Sequence, residues 1–306
     1  QVVDAELEAA GHGPITFFEA LAVLAFAIFA DAPVEVGVIE VGMGGEWDAT
    51  NIADAQVAVF TPIDLDHTAI LGRDLATIAR TKAGIVKPGA TVVSAAQAPE
   101  ALSEIIEAAE NEGAALLIAG RDFALIEDRL AVGGRQIDVR GLHGHDYDAA
   151  FVPLFGHYQA ENVAVAIAAA EAFLGGERPL PEEVLDEGLR QLTSPGRLQL
   201  IGTDPIVYVD SAHNPHGAEA LARAVTESFG FEELALVVGS MADRDSAGVL
   251  EALAPIAAAV YLAPVASPRG MPAGELAALG ADALEGLPVE VADSAAEAIE
   301  VARGWA

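Results

Sequence analysis

Apolar positions fall in short continuous runs separated by longer amphipathic stretches. Residues 34–41 are nearly all apolar, interrupted by Glu35, Gly37 and Glu40, and residues 57–61, 91–94, 234–238 and 260–262 repeat the pattern. Runs of this length predict strands buried on both faces. The stretches between them, 75–83 and 99–112, carry helical spacing, so the alternation predicts a parallel sheet covered by helices. Residues 17–30 are apolar all round and read as a buried helix, closed by Asp31, Ala32 and Pro33. That helix is too short to span a bilayer and carries Glu19. From 116 to 152 the texture changes to short β-like runs with Gly133-Gly134 between them. An Ala-rich helix over 159–174 follows, stopped by Gly175-Gly176. A boundary falls near Thr193-Ser194-Pro195-Gly196 and divides 1–193 from 194–306. Beyond it the α/β alternation restarts. Runs 198–201 and 206–209 flank Gly202-Thr203-Asp204-Pro205 as a hairpin, and a helical run over 295–303 lies near the end.

Composition narrows this picture. A chain of 306 residues, 53% hydrophobic, is large enough for two packed interiors. The absence of cysteine removes disulfides and thiolate metal sites. A formal net charge of −32 argues against nucleic acid or an anionic membrane as partner. We read that acidity as the solubilising surface of a salt-adapted or acid-rich proteome. Anionic substrates must then be caught by a few local donors. No targeting segment is visible, and a cytoplasmic location is expected. The chain opens on Gln1 and closes on Trp305-Ala306, and truncation at both ends is the expectation.

In open parallel sheets, ligands sit where strands end and loops begin, and four such places carry chemistry. The first is the segment from Glu40 through Gly42-Met43-Gly44-Gly45 to Trp47-Asp48-Ala49-Thr50-Asn51. Trp47 stands where a dinucleotide fingerprint wants glycine. Glu40 draws notice because an unpaired carboxylate in an apolar strand is costly. The second is Thr61-Pro62-Ile63-Asp64-Leu65-Asp66-His67-Thr68, whose carboxylates and imidazole suit a hard metal ion or a phosphate. It also fits a D-x-D-x-T phosphatase pattern with Asp64 as nucleophile, or a plain polar loop with a helix cap. The third is Lys82, one of only two lysines in the chain. On its own it reads as a cation at a helix C-terminus. The fourth is Asp210-Ser211-Ala212-His213-Asn214-Pro215, where Asn214 and Pro215 open a helix and create an anion site. Arg197 lies upstream, either reaching for a phosphate or forming a surface ion pair.

In this order the segments resemble the folylpolyglutamate synthase/dihydrofolate synthase branch of the Mur-ligase superfamily. The matching stretches are Thr16-Phe17-Phe18-Glu19, the Glu40 and Asp64 segments, and Lys82-Ala83-Gly84-Ile85. They continue with Gly156-His157-Tyr158-Gln159 and Asn162, Pro195-Gly196-Arg197, the Asp210 segment, and Ser267-Pro268-Arg269. The resemblance implies a Mur-ligase-like α/β fold: a partial central ATP-binding parallel-sheet domain over 1–193 and a C-terminal Rossmann-like α/β domain over 194–306. It implies that Glu40, His67 and a carbamylated Lys82 ligate Mg²⁺. Phe18, Asp48 and Ala49 would line the pterin site, and Asn162 would lie near the nucleotide base. Arg197 would touch the ATP phosphates, with Asp210 and His213 at the domain cleft. Lys82, Arg197 and His213 are thereby the expected catalytic residues.

Departures accompany the match. The family's Gly-Lys-Ser/Thr phosphate loop is absent, Glu46 stands where many relatives have arginine, and Asp64 where a small residue is common. The expectation is a fragment of an active ligase that does not itself turn over. The implied reaction uses ATP to make an acyl phosphate on dihydropteroate or a folate glutamyl tail, which L-glutamate then attacks. Domain closure would keep water away from the intermediate. A monomer without nucleic-acid or membrane partners is expected. The alternatives are a peptidoglycan Mur ligase, the Asp64 phosphatase, and a remnant that binds without turnover.

Overall fold

The computed structural model describes residues 6–7, 9–11, 13–175 and 178–306, so Gln1 and the Gly176 half of the expected helix stop lie outside the described residues. By compactness the chain divides into Gln1–Asp122 with Ala168–Gly176, and Phe123–Ile167 with Glu177–Ala306. This division by contact differs from the expected boundary at 193/194.

The first unit opens on helix α1 (Phe17–Asp31), entered through a capping box in which Thr16 and Glu19 exchange side-chain to backbone hydrogen bonds. A parallel sheet follows in the order β1 (Val57–Phe60), β2 (Thr91–Ser94), β3 (Ala115–Ile118). Between its strands run α2 (Thr68–Leu71), α3 (Leu75–Ala83) and α4 (Pro99–Asn111). Ile78, Ala79, Ala101 and Ile105 of α3 and α4 form one core with Ala58, Phe60 and Val92 of the sheet.

Two expectations are corrected here. Residues 34–41 form no strand. Among the described residues the sheet ends at β1, so this segment has no ladder for its backbone, and Val34, Val36 and Val38 stay exposed, Val38 at 93%. The helix at 17–30 forms but is not buried. Only Ala22 is buried, and Phe17, Leu21, Val23, Leu24 and Ile28 face outward, because its described packing covers little more than one face.

The second unit contains an antiparallel meander, β4 (Ala124–Ala131), β5 (Gly134–Arg140), β6 (Asp146–Val152), turned at Val132-Gly133. Helix α5 (His157–Phe173) covers one face of it. Ala160, Val163, Ala164 and Ile167 pack on Ile137, Val139 and Val152, with Leu189 of α6 (Glu182–Arg190) beside them. The expected hairpin forms as β7 (Gln199–Thr203) and β8 (Ile206–Val209). Helix α7 (Pro215–Ser228) leads to a second parallel sheet. Its order is β11 (Val289–Val291), β10 (Ala259–Leu262), β9 (Ala235–Val238). Helices α8 (Ser246–Leu253), α9 (Ala273–Leu279) and α10 (Ala295–Trp305) surround β10, whose four residues are all buried.

Candidate active site

In the first unit a glycine turn is stapled to the C-terminal end of α3. The Glu46 amide donates to the Thr81 carbonyl at 2.9 Å, and Asn51 Nδ2 donates to the carbonyls of Glu46 and Gly84, both at 3.1 Å. Lys87 Nζ donates to the Asn51 carbonyl at 2.8 Å. Position 45 must be glycine, since a Cβ there would lie 2.6 Å from the Lys82 carbonyl oxygen.

Asp48 ties the turn internally. Its carboxylate accepts from the Met43 amide (2.9 Å), the Thr50 amide (2.9 Å) and the Thr50 hydroxyl (2.6 Å), capping the 3₁₀ turn Ala49–Ile52. Desolvation pulls the Asp48 carboxyl upward. The hydrogen bonds from Thr50, Met43 and Gly42 outweigh it and hold the group below the ordinary aspartate value. The Phe18 ring lies against Gly42, where a Cβ would come within 2.3 Å of it. The structure therefore brings Phe18, Asp48 and Ala49 to one turn.

Lys82 lies in the last turn of α3 and is half-buried. Burial lowers its pKa below the ordinary lysine value, and the Asp66 carboxylate opposes that. His67 Nε2 is 3.9 Å from Asp66 Oδ2, and the His67 amide donates to Asp66 Oδ1 at 2.7 Å. His67 is held in the left-handed region at φ 50°, a conformation uncommon outside glycine but one that histidine adopts more readily than most residues. The carboxylate beside Lys82 and His67 is thus Asp66, one of the two that suit a hard metal ion or a phosphate and the one to which the resemblance assigns no role.

Glu40 sits in the exposed, strandless segment. Glu40 is therefore not a carboxylate held in a buried strand, and its place as a metal ligand rests on the resemblance alone. Among the described residues no group of three or more His, Asp or Glu side chains is gathered as a metal site. The expected set of Glu40, His67 and Lys82 contains only two residues of those types. In donor chemistry the set fits a hard divalent cation. Burial lowers the Lys82 pKa, the direction that favours the neutral amine carbamate formation requires, and a carbamate supplies oxygen ligands.

In the second unit Asp210 fastens two loops. It accepts from the Leu198 amide and the Ala212 amide, each at 2.8 Å, so the turn carrying Arg197 and the loop carrying His213 are tied together. Arg197 and His213 are exposed, and His213 Nδ1 lies 3.0 Å from the Ser211 carbonyl oxygen. Asn214 caps α7 by accepting from the Gly217 amide at 2.8 Å, leaving the helix N-terminus beside His213. Burial raises the Tyr158 hydroxyl above the ordinary tyrosine value. The Asp210 charge adds to this, while Arg197 and a hydrogen bond with Gln159 oppose it, which places Tyr158 near both charged groups. Asn162, one turn along α5, donates to Gln159 Oε1 at 3.5 Å. Arg197, Asp210, His213 and Asn162 thus fall in one unit, and Tyr158 and Gln159 join them.

The first unit thus offers a lysine, a carboxylate and a histidine beside a parallel sheet, and the second an arginine, an aspartate and a histidine on tied loops. The comparisons with known proteins narrow this further: residues 6–170 match the Mur ligase middle domain and residues 196–306 the Mur ligase glutamate ligase domain, so the chain belongs to the Mur ligase family. The dihydrofolate synthase/folylpolyglutamate synthase of Mycobacterium tuberculosis is 38% identical over 312 residues, 98% of this chain. The chain spans 64% of that relative's length. The solved structure of Mycobacterium tuberculosis folylpolyglutamate synthase complexed with ADP superposes with a TM-score of 0.94 at 38% identity, covering 99% of this chain and 68% of that one. FolC of Escherichia coli in complex with DHPP and ADP matches with a TM-score of 0.81 at 33% identity, over 98% of this chain and 68% of that one. Among the described residues no helix is long and apolar enough to cross a membrane.

Proposed function

We propose that the protein is an ATP-dependent ligase that joins L-glutamate to dihydropteroate, to folate glutamyl tails, or to both, through an acyl phosphate. The observation that carries the reading is the TM-score of 0.94 over 99% of the chain against a folylpolyglutamate synthase holding ADP. The family matches on either side of the expected boundary support a middle domain over 1–193 and a glutamate-ligase domain over 194–306.

In this reading Phe18, Asp48 and Ala49 line the pterin site, on the turn that the Asp48 hydrogen bonds hold rigid. Asn162 lies toward the nucleotide base. Arg197, oriented by the Asp210 tie to Leu198, meets the phosphates, and His213 at the α7 N-terminus serves the reacting groups. Lys82 as a carbamate, with His67 and Glu40, would hold Mg²⁺, which when bound neutralises charge on the transferred phosphoryl group. The carboxylate of the pterin substrate takes the γ-phosphoryl group of ATP and ADP leaves. The glutamate amine then attacks the acyl carbon, and phosphate departs with the bridging oxygen. Water must be excluded while the acyl phosphate exists. The protein acts as a cytoplasmic monomer in this reading.

The test is a phosphate-release assay on the full-length protein with each substrate omitted in turn. The reading expects release only when ATP, glutamate and a dihydropteroate or folate acceptor are all present. Release that continues without glutamate and acceptor overturns it.

A further inference from the structure

A buried ion pair in the meander is used by no step of the proposed chemistry. Asp128 in β4 and Arg135 in β5 have side chains only 6% and 8% exposed, and Arg135 Nε donates to Asp128 Oδ1. Asp128 pairs across the ladder with Ile137, and Arg135 with Leu130, so both charges lie on the face that carries Ile137, the face α5 covers. The other oxygen, Asp128 Oδ2, lies 2.6 Å from Nδ1 of His157, the first residue of α5. A buried pair of this kind is weak as a source of stability, since apolar residues of similar volume serve as well. What it supplies is a directional tie between a sheet and one end of a helix that otherwise packs through alanine, valine and isoleucine, whose apolar contacts carry no direction.

The tie sits where α5 begins. Gly156 precedes it at φ 93°, and a Cβ there would meet the Tyr158 ring at 2.5 Å and Ala224 of α7 at 3.1 Å. The helix thus enters through a turn only glycine can make and is then fixed at its first residue. Tyr158, Gln159 and Asn162 follow within the next two turns. A rotation of the first turn would carry all three with it.

We propose that Asp128, locked by Arg135, is a positioning residue for nucleotide binding: through His157 Nδ1 it sets the rotation of the first turn of α5 and so the placement of Asn162 and Tyr158. The inference rests on the reading of Asn162 as a nucleotide-side residue. Glu161 offers a competing anchor, because its Oε1 lies 3.7 Å from His157 Nε2. The two anchors are separable. Asparagine at 157 puts a donor where Nδ1 stood, and glutamine puts one where Nε2 stood.

ADP is titrated calorimetrically into the full-length wild type and into His157→Ala, His157→Asn and His157→Gln, well below each unfolding midpoint. The alanine variant is expected to weaken the ADP Kd about tenfold, the scale of a lost charge-assisted hydrogen bond. The asparagine variant should return to within about twofold of wild type, and the glutamine variant should resemble alanine. A shift in unfolding midpoint with equal ADP affinity in all variants overturns the proposal. So does rescue by glutamine in place of asparagine. A wild type that does not bind ADP removes the nucleotide reading and the inference with it, whereas intact wild-type binding without the asparagine-glutamine split sinks the inference alone.

Discussion

In the proposed reading the chemistry turns on Lys82. As an ammonium it would repel a divalent cation; as a carbamate it would be a ligand. Burial already lowers its pKa, so the neutral amine that reacts with carbon dioxide is more accessible than for a surface lysine. We expect Lys82→Ala to reduce ligase activity by about 10- to 100-fold and added acetate to restore part of it. Full activity in the alanine variant would rule out a catalytic Lys82. Asp48 gives a pH prediction of defined sign. Its folded carboxyl lies below the ordinary value, so its contribution to stability is fully present above about pH 4 and is lost as pH falls through the lowered folded value. Partial exposure screens that contribution. The cap itself is worth about 1 kcal/mol. Urea unfolding between neutral pH and pH 3 should show Asp48→Ala less stable at neutral pH, with a shallower loss toward acid than wild type. Parallel pH curves would remove the carboxylate from the account.

At the scale of elements, legibility in the sequence followed how local the determinants were. Helix α3 has its cap at Asp74, its periodic apolar face and its closing Gly84 within one segment, and its observed span is the expected one. The same holds for β2 and for β8, while the hairpin's first strand runs Gln199–Thr203 and takes in two residues expected in the turn. Residues 34–41 carry a strand's pattern, but a ladder is a property of the neighbouring strand as much as of the segment, and among the described residues no neighbour pairs with it. Asp66 was hidden for a different reason. Asp64-Leu65-Asp66 offers two carboxylates, and it is Asp66 whose charge acts on Lys82, a pairing across the loop that no periodicity records. The Asp128–His157 tie joins positions 29 apart and has no local signature. The glycine turn, by contrast, was visible, and the structure gives it a sharp test. Gly45→Ala would push a methyl into the Thr81 and Lys82 carbonyl oxygens, which cannot withdraw without breaking the end of α3. A loss of about 1–3 kcal/mol in denaturant unfolding is expected, the usual cost of overpacking. A neutral substitution would mean that the turn is not held against α3.

The proposed roles fall on both units: Lys82, His67, Glu40 and the Phe18–Asp48–Ala49 turn in one, and Asn162, Arg197, Asp210 and His213 in the other. A net charge of −32 gives the protein an overall field that repels anions, the proposed ATP and pterin substrates included. In the proposed reading local donors would draw them in: Arg197, the α7 N-terminus and a cation held by Lys82, His67 and Glu40. The Asp64 phosphatase reading uses almost none of these residues. Asp64 instead accepts from the adjacent Leu65 amide at 2.7 Å, and the family matches leave that reading without support. The central claim is that an acyl phosphate forms on the pterin-side carboxylate. It is tested most directly by labelling that carboxylate with ¹⁸O and running a single turnover of the full-length protein with ATP and glutamate. The account predicts that one labelled oxygen appears in the released inorganic phosphate for each amide bond formed. Unlabelled phosphate, or phosphate released without amide formation, would contradict it.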